Sequence, residues 1–565
     1  MVFADLLEQV GSIGRFQLAH VMLLSMPIFM LASHNLLQNF VAAVPPHHCT
    51  AHANLSDHAM GPAEILLLSV PLDRQGKLER CRRYVEPKWD LLGQNSSMDQ
   101  EKTDIEMEGC VDGWSYNKTD MSSTIITEWD LVCDLRSLKQ MGQTIYMGGV
   151  LVGAIIFGGL SDKFGRRILL LISNLLIAVS GTCAAFASTF SLFCLFRFFC
   201  GMALSGIILN SFSLIVEWIP TRIRTVTGTA TGYCYTTGQL ILAGVAYSIR
   251  DWRWLTLAVS LPFYVFFLYS WWFLESARWL VLTNKPEKAV KNLKYVARIN
   301  GRRAEGDKIN LEMLQESMKK EMSCSKVNHS AVDLVRTRTM RIITVCLSAV
   351  WFSTSFSYYG LSMDLQKFGV DIYLIQVIFG AVDIPAKIIV TVSMSFIGRR
   401  LSQCASLILA GTTILVNLLV PYELQTLRTS LAVLGKGCLA AAFNCCYLYS
   451  GELYPTVIRQ NGMGWVSMTA RLGAMVAPLI LLLSDAYAWL PGLIYGTAPI
   501  VSGVFAYFLP ETLNTALPDT IQDAEDRGFK WRKPKNSTKS EEVTLNDQIS
   551  IPLKECAAEY KKVNI

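Results

Sequence analysis

Arg471 stands near the middle of Asn461–Asp485, a stretch long enough to cross a bilayer, and it is the one charge before the terminal Asp485; roughly 20 apolar residues suffice for a crossing. A guanidinium at mid-membrane costs about 3 kcal/mol even on the lenient insertion scale, so it faces a cavity or a partner. It keeps its charge at any ordinary pH, and the chemistry it offers is reversible capture of anions. Ser467, at i−4, shares its helical face. In a second apolar stretch Asp383 and Lys387 are i, i+4 and placed to neutralise each other. Pro385 between them predicts a kinked or broken helix. In a third, Lys436, Phe443 and Tyr447 fall on one face, with Lys436 near enough to the outer end to snorkel there. Trp351, Phe352, Phe356, Tyr358 and Tyr359 crowd a fourth stretch, and Tyr233 and Tyr235 a fifth. Such rings ordinarily just pack, yet beside a fixed cation their faces and hydroxyls also suit amphipathic aromatic anions. His34, Asn35, Gln38 and Asn39 put four polar groups on one side of the first apolar stretch, a side that must look at protein or water.

The elements that position these groups are membrane spans. The 565 residues are 52% hydrophobic and only 17% charged, with mean hydropathy +0.34, where a soluble protein carries about a quarter charged residues. Twelve apolar blocks recur, at approximately 16–43, 139–160, 168–187, 190–215, 225–247, 253–274, 340–363, 370–397, 402–420, 429–450, 461–484 and 489–509. The fold class is therefore all-α and polytopic, embedded in a lipid bilayer. The first block follows Arg15 without a small-residue cleavage site and reads as retained. The net charge of +6 gives no reason to expect nucleic acid, because the basic residues flank spans. Arg166, Arg167, Arg222, Arg224, the basic 285–326 segment, Arg399, Arg400 and Arg459 follow even-numbered spans. That bias places those sides and both termini in the cytoplasm, with Arg250 and Arg253 running against it.

Residues 1–15 then form a cytoplasmic lead and 16–274 a first bundle, which includes an outside loop at 44–138. Cys49, Cys81, Cys110 and Cys133 in that loop suit two disulfides, with three pairings open. Asn54, Asn95 and Asn117 open glycosylation sequons there, whereas those at Asn328 and Asn536 fall on the cytoplasmic side. The other eleven cysteines lack metal-ligand spacing and read as small buried hydrophobes. Residues 275–338 read as a cytoplasmic linker with short amphipathic helices, on the stripe Ala289, Leu293, Val296 and Ile299. Residues 339–510 form a second bundle, and 511–565 a polar, disordered tail.

The two bundles repeat. Gly165-Arg166-Arg167 recurs as Gly398-Arg399-Arg400, 233 residues on; Glu217-x-x-Pro220-x-x-x-Arg224 recurs as Glu452-x-x-Pro455-x-x-x-Arg459, 235 on; Glu275 is answered by Glu511, 236 on. Two six-span halves in parallel repeat are the build of rocking transporters, with the substrate site between them. Asp162, Arg166, Glu217, Arg224, Glu275, Arg278, Arg399, Glu452, Arg459 and Glu511, with Arg167 and Arg400, then form a charged cytoplasmic gate that pairs across the mouth when shut. No phosphate loop or zinc pair supports an enzyme or an ATP-driven pump.

Gly158-x-Leu-Ser-Asp162-Lys-Phe-Gly165-Arg-Arg167 resembles the loop signature of the major facilitator superfamily. Glu275-Ser-Ala-Arg278-Trp-Leu is similar to a signature of its sugar and organic-ion branches. The cysteine-bearing loop and Gly451-Glu-Leu-Tyr-Pro-Thr-Val-Ile-Arg459 resemble solute carrier family 22. Phe356-Ser-Tyr-Tyr-Gly-Leu361, Phe379-Gly-Ala-Val-Asp-Ile-Pro-Ala-Lys387 and Gly435-Lys-Gly-Cys438 are similar to its organic anion transporters, close to the renal-type exchangers. The resemblance implies twelve helices in two pseudo-symmetric six-helix bundles at the plasma membrane, taking up small organic anions in exchange for intracellular dicarboxylate. It implies no bound cofactor or metal, only a chloride or dicarboxylate counter-ion handled at Arg471 and Lys387. It places Tyr235, Trp351, Tyr358, Tyr359, Phe443, Tyr447, Asn35, Asn39 and Ser467 on the cavity wall. Tyr447 departs from the phenylalanine frequent in relatives, which implies more polar anions. The alternative is the same fold carrying cations or zwitterions, with Asp383 as its buried acid.

Overall fold

The computed structural model describes residues 3–11, 13–52, 61–73, 76–89, 106–119, 121–220, 224–324, 332–363, 365–421, 423–455, 457–515, 518 and 521–532. Six long helical spans make the first half: Arg15–Leu36, Ser137–Phe164, Arg166–Ala185, Phe190–Trp218, Arg224–Ser248 and Trp252–Ser270. Six make the second: Arg338–Ser362, Ile372–Phe396, Arg399–Leu419, Gln425–Leu453, Arg459–Ile480 and Leu490–Tyr507. Eleven of the described spans are long and apolar enough to cross a membrane, and the fifth is absent from that set. Its Thr-, Gly- and Tyr-rich sequence tolerates a bilayer only where it turns toward protein or a water-filled space. The eighth span runs unbroken through Pro385, so the predicted break does not occur.

Small residues set the spacing. A Cβ at Gly149, Gly153 or Gly201 would fall 2.1, 2.4 or 2.2 Å from a carbonyl oxygen of the facing helix, which draws the second and fourth spans together. Gly473 does the same for the eleventh span, 2.4 Å from the Phe352 carbonyl, and so brings the helix of Arg471 against the aromatic seventh span.

The sequence repeat has a structural counterpart. Gly165 (φ 99°) and Gly398 (φ 107°) turn the chain into the third and ninth spans. Glu275 accepts the amides of Arg166 and Arg167 at 3.2 and 3.1 Å, and Glu511 those of Arg399 and Arg400 at 2.9 and 3.1 Å. Each carboxylate thus sits on the positive end of a helix. Arg166 lies 3.4 Å from Glu217, and Arg399 lies 3.1 Å from Glu452.

In the long loop, His47–Cys49 pairs with Trp114–Tyr116 and Arg83–Tyr84 with Met107–Glu108, both antiparallel. The disulfides are Cys49–Cys110 and Cys81–Cys133. Buried Arg83 ties the fold together through Glu108 (2.7 Å), Asp112 (2.6 Å) and the Thr50 carbonyl (3.2 Å). Asn117 is exposed, while Asn54 and Asn95 lie outside the described residues.

On the opposite face the linker forms helices Ala277–Leu282, Pro286–Ile299, Arg303–Asp307 and Leu311–Cys324, with Phe3–Gly11 packed on them. Ala289, Leu293 and Val296 are buried as expected; Ile299 is 37% exposed, and Ala297 completes the stripe instead. The tail departs from the disordered segment expected. Ile521–Arg532 is helical, buries Ala524 against the second half, and presents Glu525 to the amide and hydroxyl of Thr339 at 2.9 and 2.8 Å. Residues 533–565 lie outside the described ones.

Candidate functional site

Arg471 donates to Ser467 Oγ at 2.9 Å, and among the described residues no carboxylate forms an ion pair with it. Tyr359 and Tyr447 lie within electrostatic reach of the guanidinium. One turn on, Ala474 and Met475 pack with Tyr146 and Met147 of the first half, so the cation lies beside the seam between halves.

The seventh and tenth spans supply rings around it. Trp351 and Tyr447 meet edge-on with centroids 4.5 Å apart, and Phe443 lies 6.3 Å from Trp351 and 5.3 Å from Tyr358. Tyr358 and Tyr359 are themselves perpendicular at 5.5 Å. Trp351 is fixed by its indole N–H, which donates to Ser450 at 2.8 Å. Tyr447, within two turns of the C-terminal end of the tenth span, is 57% exposed and presents its ring to open space, while Trp351 behind it is buried.

The charge pairing differs from the expectation. Asp383 does not neutralise its helical neighbour Lys387; it accepts from Lys436 at 2.8 Å. Lys436 is 1% exposed and also donates to the Phe379 carbonyl at 2.7 Å, so it does not snorkel. Two spans packed face to face offer Lys436 both an acid and a carbonyl, which outweighs the one-helix i, i+4 contact. Tyr358 donates to the other Asp383 oxygen at 3.2 Å and accepts from Gln239 of the fifth span at 3.2 Å. Lys387, released from Asp383, crosses to the fifth span, donating to the Thr236 hydroxyl at 2.8 Å and the Gly232 carbonyl at 3.1 Å. Tyr233 lies beneath it at 5.9 Å.

Asn35 joins two tyrosines, donating to Tyr235 at 2.9 Å and accepting from Tyr146 at 2.9 Å. Asn39 donates across the seam to the Ser362 carbonyl at 2.9 Å. Thus Arg471, Ser467, Trp351, Tyr358, Tyr359, Phe443 and Tyr447 come together, Lys387, Tyr235 and Asn35 border them through the fifth span, and Asn39 belongs to a contact nearer the loop. Sequence reasoning did not single out Gln239, Thr236, Tyr146 or Arg197. The first three carry no sequence signal apart from polarity. Arg197 does: it is a lone cation in the fourth apolar stretch, the same mark that singles out Arg471.

The halves meet unevenly at their two ends. Toward the loop, Gln366 accepts from the Val44 amide and donates to its carbonyl at 3.1 and 3.0 Å, Phe40 stacks on Tyr373 at 5.6 Å, and Tyr373 reaches Met121 at 3.0 Å. At the linker end the expected gate charges pair inside their own halves: Arg166 with Asp162 and Glu217, Arg399 with Glu452, Glu275 and Glu511 as caps. The side chain of Arg224 lies outside the described ones.

Residues 95–521 match the family model described as sugar (and other) transporter. Over 558 residues the chain is 72% identical to solute carrier family 22 member 6 of Danio rerio, covering 98% of this chain and 100% of that one. It is 49% identical over 544 residues to organic anion transporter 3 of Homo sapiens, covering 96% and 97%. Among solved structures it is similar to the inward-open xylose transporter XylE from E. coli, with TM-score 0.57 and 19% identity over 71% of this chain and 93% of that one.

Proposed function

Because the chain belongs to the sugar (and other) transporter family, and within it to the organic anion branch of solute carrier family 22, we propose that it carries amphipathic organic anions across the plasma membrane in exchange for intracellular dicarboxylate. It is a transporter of the major facilitator fold, not an enzyme. The observation that carries the substrate reading is Arg471, a permanent cation beside the seam with a serine for company and no acid. A carboxylate or sulfonate docks on it with full charge assistance, and the edge-on rings of Trp351, Tyr358, Phe443 and Tyr447 receive the aromatic body.

Lys387 is the second cation of the site. Its present bonds are to neutral oxygens, so an arriving carboxylate displaces them without breaking an ion pair. A dianion engages Arg471 and Lys387 together, which is the basis for dicarboxylate as counter-substrate. Cation or zwitterion transport is disfavoured because Asp383, the acid that such a substrate needs, is occupied by Lys436.

With the loop outside and the linker and both termini in the cytoplasm, the outer ends are latched, and the inner ion pairs of Arg166 and Arg399 lie within their own halves. This supports an inward-facing resting geometry. Exchange then consists of rocking the halves about the site between them, anion inward and dicarboxylate outward.

Changing Arg471 to Asp should abolish uptake of a labelled aromatic carboxylate in cells whose surface labelling is unchanged. Uptake of a quaternary amine in its place would overturn the anion reading. Preloading cells with a dicarboxylate should accelerate uptake; an unchanged rate would remove exchange and leave uniport.

A further inference from the structure

Arg250 and Arg253 are the two basic residues that run against the charge bias of the loops, and only Arg253 has found an acid. It pairs with Glu128 and donates to the Ala185 and Ala187 carbonyls at 2.8 and 3.1 Å. Arg250 stands at the same junction of the fifth and sixth spans, exposed, and no carboxylate pairs with it among the described residues. Its Nη1 donates to the Thr119 carbonyl at 3.2 Å and its guanidinium lies 5.2 Å from the centre of the Tyr247 ring. Nη2 makes no hydrogen bond among the described residues.

Beside Arg250 opens a cavity of about 440 Å³. Its polar rim is held in place by backbone pairing. Ser122 donates its amide and its hydroxyl to the Arg250 carbonyl, both at 3.0 Å. Asp251 caps the sixth span through Oδ1, which accepts the amides of Arg253 and Trp254 at 2.9 and 3.2 Å, and among the described residues Oδ2 stays unbonded. Below the rim the wall is apolar: Trp254, Leu257, Ala258 and Leu261 fall at i, i+3, i+4 and i+7 on one helical face. Trp254 is 65% exposed, and the exposed apolar stripe runs on through Val265 and Leu268 beyond Pro262. One charge of each sign thus stands at the mouth of a trough that leads into the bilayer.

That combination selects among occupants. A water-soluble anion has no use for the trough, and a sterol has none for the two charges. An anionic lipid meets the Asp251 carboxylate, and such lipids belong to the cytoplasmic leaflet. We propose that the cavity seats a phosphocholine lipid of the outer leaflet. Arg250 Nη2 takes the phosphate with charge assistance. Asp251 and the Trp254 face hold the quaternary ammonium, and an acyl chain lies along Leu257, Ala258 and Leu261. Only its sidedness rests on the orientation proposed above.

The purified full-length protein in nanodiscs, irradiated with a phosphatidylcholine bearing a diazirine high on its acyl chain, should be labelled within 248–261 on peptide mapping. Unlabelled phosphatidylcholine should compete several-fold better than phosphatidylglycerol or cholesterol. Arg250→Gln should lower the label several-fold. Asp251→Asn keeps a capping side chain and should let phosphatidylglycerol compete as well as phosphatidylcholine does. The proposal is overturned if the three lipids compete equally in wild type, if Arg250→Gln keeps its label, or if Asp251→Asn keeps the preference. Should Arg250→Gln fail to fold, Ala258→Trp, which fills the trough without touching a charge, should exclude the label, and full labelling of it overturns the site. These readouts need neither transport nor a known insertion direction, so their failure leaves the anion-exchange reading standing.

Discussion

Asp383 and Lys436 illustrate what one-dimensional spacing conveys and where it stops. The sequence exposes each charge because a charge inside an apolar stretch is conspicuous, and it correctly marks Arg471 as lacking an obvious acid. It does not reveal pairing, because the i, i+4 neighbour on the same helix competes with a partner from a span fifty residues away that only packing brings into reach. This assignment has a direct test. Asp383→Asn strips the acid from a fully buried ammonium and should cost about 3–5 kcal/mol. Asp383→Asn combined with Lys436→Met should recover most of that, since removing both partners leaves no lone charge. Thermal unfolding of the purified variants reads both. If Lys387 were the true partner, the Lys436 change would add its own loss instead.

The helices, by contrast, were largely visible in the chain: twelve apolar blocks and a repeat at offsets of 233 to 236 residues locate every span. What the repeat is for was less visible. Its acids and arginines suggest a gate that pairs across the mouth when shut; in this geometry Glu275 and Glu511 each close a turn within their own half. At Gly398, φ is 107°, and an added Cβ would fall 2.6 Å from Glu511 Oε2. Gly398→Ala should therefore destabilise by about 1–3 kcal/mol through backbone strain. Glu511→Gln should cost about 1–2 kcal/mol by removing the anion from the helix end. Both should lower surface abundance while leaving the KM of the surviving protein near wild type; a changed KM with full abundance would mean a role at the substrate instead. The tail helix escaped notice because its short, polar sequence is ordered by docking rather than by propensity. Burial alone would push the Glu525 carboxyl up, but the hydroxyls of Thr337 and Thr339 and the amides of Thr339 and Met340 outweigh it and hold the carboxyl below its usual range. A lowered folded value means the docking contributes fully above the ordinary carboxylate range and is lost as pH falls through the lowered value. Protection of the 521–526 amides, measured against their intrinsic exchange rates at each pH, should be high near neutrality and fall in acid, and Glu525→Gln should show low protection at both.

Taken whole, the molecule is two similar halves that touch at the loop end, with the ion pairs of Arg166 and Arg399 at the linker end lying inside their own halves and, among the described residues, no carboxylate paired with Arg471 at the centre. That asymmetry is a statement about conformation, which neither composition nor periodicity encodes. One sequence must satisfy both the inward-facing and the outward-facing packing, so the pattern of apolar residues is common to the two. The latch joins polar bonds, the Gln366 amide on the backbone of Val44 and Asn39 on the Ser362 carbonyl, to the Phe40–Tyr373 stack and the Tyr373–Met121 contact. The three polar bonds contribute about 1 kcal/mol each and the ring contacts add to them, a sum that substrate binding has to offset for the halves to rock. Cysteines at Val44 and Gln366, joined by a short bifunctional thiol reagent, should hold the outer ends together and stop uptake. If the resting state faces inward as proposed, a cysteine at Tyr447 in the same locked protein should still react with an impermeant reagent supplied from the cytoplasmic side and resist it from outside, since the ring is exposed. Reaction from outside instead would place the closed end at the linker and reverse the assignment of the resting state.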